Sequence, residues 1–333
     1  MKLKSFYKQM DELTASKTPY LFIIDFEKSN PLIIKLADLS NPSPLVKYSF
    51  PSITNVQEQP VLLNYGGNQS EEFFKTSPIS FEVYNQKFEL AQKMMKQLKV
   101  DVINLTIPTP IELTNPDLNV IFNTAQAKYK VLLEDKFVCC SPEIFVRISA
   151  DGLISTYPMK GIIDANIPNA QELIIQSPKE QREHQTTVNL VMQELSIVAD
   201  EVETARFRYL DRLTTSNKDL YQVSSEVVGK LKAEYHSSFS RLFDKLLPAG
   251  SILGSPRNEA LKVIECSEGY SRGYYTGICG IFDGQTLDSC VLIRIIEKEG
   301  EQSFYKSGGG ITLQSNAKSE YEEIKNKIYV PVA

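Results

Sequence analysis

The sequence predicts an α+β fold, on three observations. Strand-like and helix-like runs come in blocks and not in strict alternation, which argues against a doubly wound sheet. The chain holds both apolar residues at helical spacing and short β-rich runs bounded by turn residues. Of 333 residues, 42% are hydrophobic and 23% charged, a globular balance able to bury a core, with no compositional shift that marks a linker. One domain spanning residues 1–333 is therefore expected.

The elements are justified in chain order. Tyr20-Leu-Phe-Ile-Ile-Asp25 and Pro31-Leu-Ile-Ile-Lys35 read as buried strands. Phe81, Tyr84, Phe88, Ala91 and Met95 have helical spacing, which predicts a helix over 80–98. Val100–Thr106 reads as a strand, the proline-rich stretch Ile107–Asn115 as turns, and Val120–Tyr129 as a helix. Strands are expected at Lys136–Cys140, Ile144–Ile148 and Leu153–Tyr157. Ser177-Pro-Lys-Glu180 is a capping-box pattern with proline at the first helical position. It opens a long helix whose buried face carries Val188, Val191, Leu195, Val198 and Val202. Helices follow at Leu220–Tyr235, Ser237–Leu247 and Asn258–Glu268, then strands at Tyr275–Phe282, Ser289–Glu297 and Gln302–Ser307. A last helix is expected from Ala317 to Tyr329.

Charge and composition exclude several functions. A net charge of -5 and the lack of a basic run disfavour nucleic acid as a partner. No apolar stretch reaches the roughly 18 residues of a membrane span, and Met1–Met10 lacks the apolar run of a secretory signal. Five cysteines, an odd number without metal-like spacing, read as buried free thiols in a reducing compartment. A cytoplasmic location is expected. Two histidines, His184 and His236, are too few for a His-rich metal site.

Four features could carry chemistry. Glu180 and Glu183 on one helix, and Glu320 and Glu323 on another, each present two carboxylates on one helix face. Together they suit a hard divalent cation such as Mg2+, although acidic residues in a first helical turn also serve the macrodipole. Ser307-Gly-Gly-Gly310 is either an anion-binding run of backbone N–H groups or a flexible turn. Lys160, in Tyr157-Pro-Met-Lys-Gly161, is either a solvated charge or a desolvated nucleophile. Glu143 is either a turn carboxylate or a general acid. The residues alone stop short of a reaction.

Taken in order, eight segments resemble the chorismate-utilising enzymes. They are Cys140-Ser-Pro-Glu-Ile-Phe145, Tyr157-Pro-Met-Lys-Gly161, Lys179-Glu-Gln-Arg-Glu-His184, Leu247-Pro-Ala-Gly-Ser-Ile-Leu-Gly-Ser-Pro-Arg257, Arg272-Gly-Tyr-Tyr-Thr-Gly277, Leu292-Ile-Arg294, Ser307-Gly-Gly-Gly-Ile-Thr312 and Glu320-Tyr-Glu-Glu-Ile-Lys-Asn-Lys327. The likeness is clear over 137–327. It weakens back to Asn104-Leu-Thr106, and residues 1–100 resemble a shortened N-terminal part of the family. Asn41-Pro-Ser-Pro44 imitates a further family motif but comes too early and is taken as coincidence.

The resemblance implies two large, mostly antiparallel sheets packed together with helices outside. It also implies chorismate as substrate and Mg2+ as cofactor. Lysine at 160, where the anthranilate, isochorismate and salicylate branches resemble one another in having alanine, points to the aminodeoxychorismate synthase component I branch. That branch makes a precursor of 4-aminobenzoate and folate. Lys160 would attack C2 of chorismate as Glu143 protonates the departing C4 hydroxyl, and ammonia would then attack C4 and expel the lysine. Glu183 and Glu323, with Glu180 and Glu320 beside them, match the metal ligands. Gly161, Tyr275, Arg294, Lys327 and the N–H groups of Gly308, Gly309 and Gly310 match positions that hold the substrate.

No glutaminase module is evident, so ammonia is expected from a separate glutamine amidotransferase partner. Anthranilate formation is the alternative activity, and a non-catalytic chorismate- or cation-binding protein a second one. Three departures from the family pattern stand out: Ile162 in place of threonine, Gln222 in place of histidine, and Asn189-Leu-Val-Met-Gln-Glu-Leu195 in place of Asp-Leu-x-Arg-Asn-Asp-Leu. The shortened N-terminal part makes a regulatory tryptophan pocket unexpected.

Overall fold

A computed structural model describes residues 1–40, 44–56, 73–214 and 219–332, leaving most of the Asn41-Pro-Ser-Pro44 tetrad outside. Among the described residues, strands form two large antiparallel sheets, as an α+β chain should. The first holds β1 (Tyr20–Ile24), β2 (Leu32–Lys35), β8 (Ile144–Ile148), β9 (Leu153–Thr156), β10 (Met159–Asp164), β11 (Ala199–Thr214), β12 (Asp219–Leu231), β14 (Ile278–Phe282) and β15 (Leu287–Val291). Its order is β10-β12-β9-β8-β15-β14-β1-β2, with β11 paired to β12. The second holds β3 (Val46–Ser49), β4 (Phe74–Thr76), β5 (Val102–Leu113), β6 (Tyr129–Leu133), β7 (Phe137–Ser141), β13 (Gly254–Ser255), β16 (Ile295–Glu299) and β17 (Gln302–Thr312). Its order is β13-β5-β17-β16-β7-β6-β3, with β4 paired to β5.

Strand β1 shows how five consecutive apolar residues are all buried. Alternate side chains point to opposite faces. Tyr20, Phe22 and Ile24 join a cluster with Phe6 of helix α1 (Leu3–Ala15) and Phe243 of helix α6 (Phe239–Leu246). Leu21 and Ile23 join Tyr129, Val131, Cys139 and Ile295 of the second sheet. The sheets therefore face each other through one apolar layer. Beyond the second sheet, helices α2 (Phe81–Leu98), α8 (Arg257–Glu268) and α9 (Ala317–Asn326) set Tyr84, Val263 and Ile324 against Ile103, Leu105 and Ile311.

Ser177 caps the helix as expected: its side chain accepts from the N–H of Glu180, opening helix α5 (Pro178–Val198). Several expectations need correction. The expected helix over Leu220–Tyr235 is strand β12, in which Val223, Ser225, Val227, Gly229 and Leu231 are buried on alternate positions. Its β-branched residues pack as a pleated face, a period of two that a helical reading of valines overlooks. Val202 lies in β11 and not on the long helix, which ends at Val198.

The prolines at 108 and 110 sit inside β5, not in turns. The N–H of Thr106 points away from β17 toward Glu268 Oε1. Residues 108 and 110 share that direction by alternation, facing the gap between β13 and β4 where no ladder needs a donor. Helix α3 is shorter than expected (Leu118–Thr124), with Tyr129 opening β6, and Leu292–Arg294 interrupts the expected strand over Ser289–Glu297. Four cysteines are buried and free, but Cys266 is exposed. No helix among the described residues is long and apolar enough to cross a membrane.

Candidate active site

Five stretches that are distant in sequence meet at the open edge of β17, past the end of β16. The glycine run lies within β17 and is no turn. Gly308 faces Thr106, Gly309 faces Leu105 and Gly310 faces Asn104 across an unbroken register. Because the N–H of Thr106 points away from β17, Gly308 and Gly310 present their backbone groups to the open edge, and Gly309 turns its own to β5. The Gly308 carbonyl accepts from Lys327 Nζ at 2.9 Å on that edge. Only glycine suits position 308, where a Cβ would stand 2.6 Å from Thr106 Cγ2.

Lys160 arrives on β10. It is half-buried, and among the described residues its ammonium makes no hydrogen bond or ion pair. A Cβ on Gly310 would stand 3.7 Å from Lys160 Nζ, so the amine faces the glycine edge. Gly161 has φ +87 and leaves room for Glu180, whose Oε2 would be 2.8 Å from a Cβ there. A Cβ on Gly309 would lie 3.4 Å from Glu320 Oε2 and 3.9 Å from Glu323 Oε1.

Glu180 beside Gly161, and Glu320 and Glu323 beside Gly309, therefore border the Lys160–Gly310 region. They do not close around a point: among the described residues no three carboxylate, imidazole or thiolate groups gather closely enough to enclose a cation. Glu183 and Glu323 are exposed, Glu180 and Glu320 half-buried, and like charges this near repel without a counterion. The donor set fits Mg2+ as an open arrangement of hard oxygens that water and an anionic substrate complete.

Glu143 is half-buried after β7, and Ser251 Oγ donates to its Oε1 at 3.4 Å. Burial pushes its carboxyl up, against the pull of Lys160, Ser251, Arg294 and Lys327. Burial pushes the Lys327 ammonium down, opposed by Glu323, its ion-pair partner at 2.7 Å. Tyr275 is buried, and its phenol is pushed up by that burial against the opposing charges of Arg272 and Arg294.

Arg294 has a left-handed backbone (φ +54), Nε is buried without a partner, and among the described residues no carboxylate forms an ion pair with it. Buried polar atoms are normally satisfied. Of the unsatisfied ones here, Arg294 Nε, Ser307 Oγ, Tyr84 OH and His184 Nδ1 surround this region or the elements that build it.

Sequence reasoning missed Ser251 and the work of His184. The imidazole is fully buried behind Lys160, with Nε2 2.7 Å from Ser225 Oγ, which also accepts from the N–H of Arg208. Burial, with Arg208 nearby, lowers its pKa to about 4. The unfolded chain, with an ordinary histidine near 6.5, binds this proton more readily. The stability contributed by neutral His184 is complete above about pH 6.5 and disappears as pH falls toward 4. Wild type should lose about 2–3 kcal/mol more than His184→Gln between pH 7 and pH 4.5 in urea unfolding. Parallel pH profiles would contradict this.

The structure also pairs two of the departures from the family pattern. Ile162 of β10 stands directly opposite Gln222 of β12. Thus the missing hydroxyl and the missing imidazole belong to one spot, where an amide that cannot titrate now sits.

The two packed sheets thus bring a lysine, a carboxyl group, an arginine and a glycine edge around one gap. The family model for chorismate binding enzymes matches residues 7–333, and the chain belongs to that family. An uncharacterized PabA-like protein of Haemophilus influenzae is 41% identical over 330 residues, covering 99% of this chain and 97% of that one. A PabA-like protein of Pasteurella multocida is 40% identical over the whole of both. Anthranilate synthase component 1 of Saccharomyces cerevisiae is 24% identical across 89% of this chain and 57% of its own length. The menaquinone-specific isochorismate synthase of Escherichia coli superposes with a TM-score of 0.69 at 18% identity, over 97% of this chain and 80% of that one.

Proposed function

We propose that the chain is an aminodeoxychorismate synthase component I, converting chorismate and ammonia to 4-amino-4-deoxychorismate, with a separate glutamine amidotransferase as the source of ammonia. The observation that carries this is Lys160: half-buried, its ammonium without a hydrogen bond or ion pair among the described residues, and facing the glycine edge. A lysine held that way is suited to covalent capture, which divides one hard substitution into two allylic ones.

Lys160, as the neutral amine, bonds to C2 as the double bond shifts and the C4 hydroxyl leaves as water with the proton of Glu143. Ammonia then bonds to C4 as the double bond shifts back, the lysine leaves from C2 as the neutral amine, and a proton of the new C4 ammonium returns to Glu143. Arg294, Lys327, Tyr275 and the N–H groups of Gly308 and Gly310 hold the substrate carboxylates, with Gly161 giving the substrate access beside Lys160. An arginine fork suits a carboxylate bidentately. Glu180, Glu183, Glu320 and Glu323 would hold Mg2+, which supplies positive charge between protein and substrate carboxylates.

The test incubates the protein with chorismate, magnesium and ammonium salt, then adds an aminodeoxychorismate lyase. Formation of 4-aminobenzoate, lost on chelation of the metal, is the expected result. Its absence from folded protein, or anthranilate fluorescence before the lyase is added, would refute the assignment.

A further inference from the structure

The C-terminal segment after helix α9 builds one wall of the arginine site, and its aromatic ring has no role in the reaction described above. The guanidinium carbon of Arg294 lies 5.2 Å from the centre of the Tyr329 ring. Arginine over an aromatic face is held by the ring quadrupole, most strongly where water is scarce. Around Arg294, water is scarce: Tyr275 and Tyr305 beside it are buried, and its own Nε is buried without a partner.

The ring is fixed from behind. Tyr305 OH donates to the Tyr329 carbonyl at 2.8 Å, and the N–H of Gln126 donates to the Pro331 carbonyl at 2.7 Å. Val330 and Val332 are buried against Phe74, Ile121 and Tyr305. Tyr329 itself is 38% exposed, so it covers the guanidinium from the solvent side without being part of the core. The same segment begins at Lys327, which is tied to Gly308 and Glu323.

We infer that Tyr329 is a positioning residue for the carboxylate site: its ring face holds the guanidinium of Arg294 in the orientation that receives a substrate carboxylate. The inference rests on Arg294 being the carboxylate fork of the proposed function. Arg294 Nε has no partner, and Tyr329, whose ring the guanidinium lies over and whose hydroxyl stands beside it, supplies a contact that fixes the side chain. Its loss should weaken capture of the anion and leave the chemistry at Lys160 untouched.

The experiment compares wild type with Tyr329→Phe, Tyr329→Leu and Arg294→Ala, measuring equilibrium chorismate binding in the presence of magnesium, KM, kcat and thermal midpoint. Tyr329→Leu should raise the chorismate Kd and KM roughly 3- to 30-fold, the range a desolvated cation–π contact supports. Its kcat should stay within about threefold, and Tyr329→Phe, which keeps the ring face, should stay near wild type. A Kd for Tyr329→Leu equal to wild type overturns the inference, and so does an equal loss in the leucine and phenylalanine variants. If Arg294→Ala binds chorismate as wild type does, the carboxylate-fork reading fails first and the inference falls with it. Should leucine lower the thermal midpoint, Tyr329→Trp decides: recovered binding supports the ring, and unrecovered binding refutes it.

Discussion

Replacing Lys160 with alanine should lower ammonia-dependent formation of 4-amino-4-deoxychorismate by about 10³-fold or more, the scale seen when a covalent nucleophile is removed. The backbone has little reason to change. Residue 160 lies within β10, which is held by its antiparallel pairing to β12, and a shorter side chain leaves that pairing intact. Among the described residues its ammonium makes no hydrogen bond or ion pair, so none is broken. Unfolding should therefore occur near the wild-type temperature. Lys160→Arg keeps the charge but not the nucleophile, and should be nearly as inactive. Mass spectrometry adds a second readout: the wild-type peptide containing Lys160, trapped with chorismate, should gain the mass of the dehydrated substrate. Retention of more than a tenth of the rate by either variant would rule out covalent capture.

Glu143→Gln should reduce kcat by about 10²- to 10⁴-fold, the usual contribution of a positioned acid. The sign of the pH effect follows from burial. A raised carboxyl keeps its proton to higher pH than an ordinary glutamate, and the working form is the protonated one, so kcat falls as pH rises through the shifted value. The variant should lack that limb. Ser251 donates to the carboxylate and favours its charged form, so Ser251→Ala should move the limb to still higher pH. Stability should fall together with activity as pH rises. In the window between the unfolded and folded values the native state binds the extra proton, so stability falls as pH rises across it. Glutamine removes a desolvated charge, and Glu143→Gln should be more stable than wild type at neutral pH. A variant that is both slower and less stable at neutral pH would argue that Glu143 is structural.

How legible an element is in the sequence depends on how far along the chain its determinants lie. Ser177 and Pro178 announced the long helix because capping is settled within four residues. The apolar runs of β1 and β8 were plain because burial on both faces leaves little room for polar residues. The 220–231 stretch was misread as a helix because its valines fit either period when partners are unknown. Pro108 and Pro110 looked like turns because nothing local says that the strand edge beside them lacks a ladder.

From the order of its segments alone, the chain disclosed its fold class, its kinship with chorismate-utilising enzymes and the residue types available for chemistry. Tertiary structure decided which groups meet. It turned Gly308 and Gly310 to the open edge while Gly309 joins β5, set Ile162 opposite Gln222, and laid Tyr329 over Arg294. The division has a physical cause. Propensity and capping act over a few residues, whereas sheet register and side-chain juxtaposition join residues from tens to some two hundred apart, and one step of register would turn a strand's side chains to the other face.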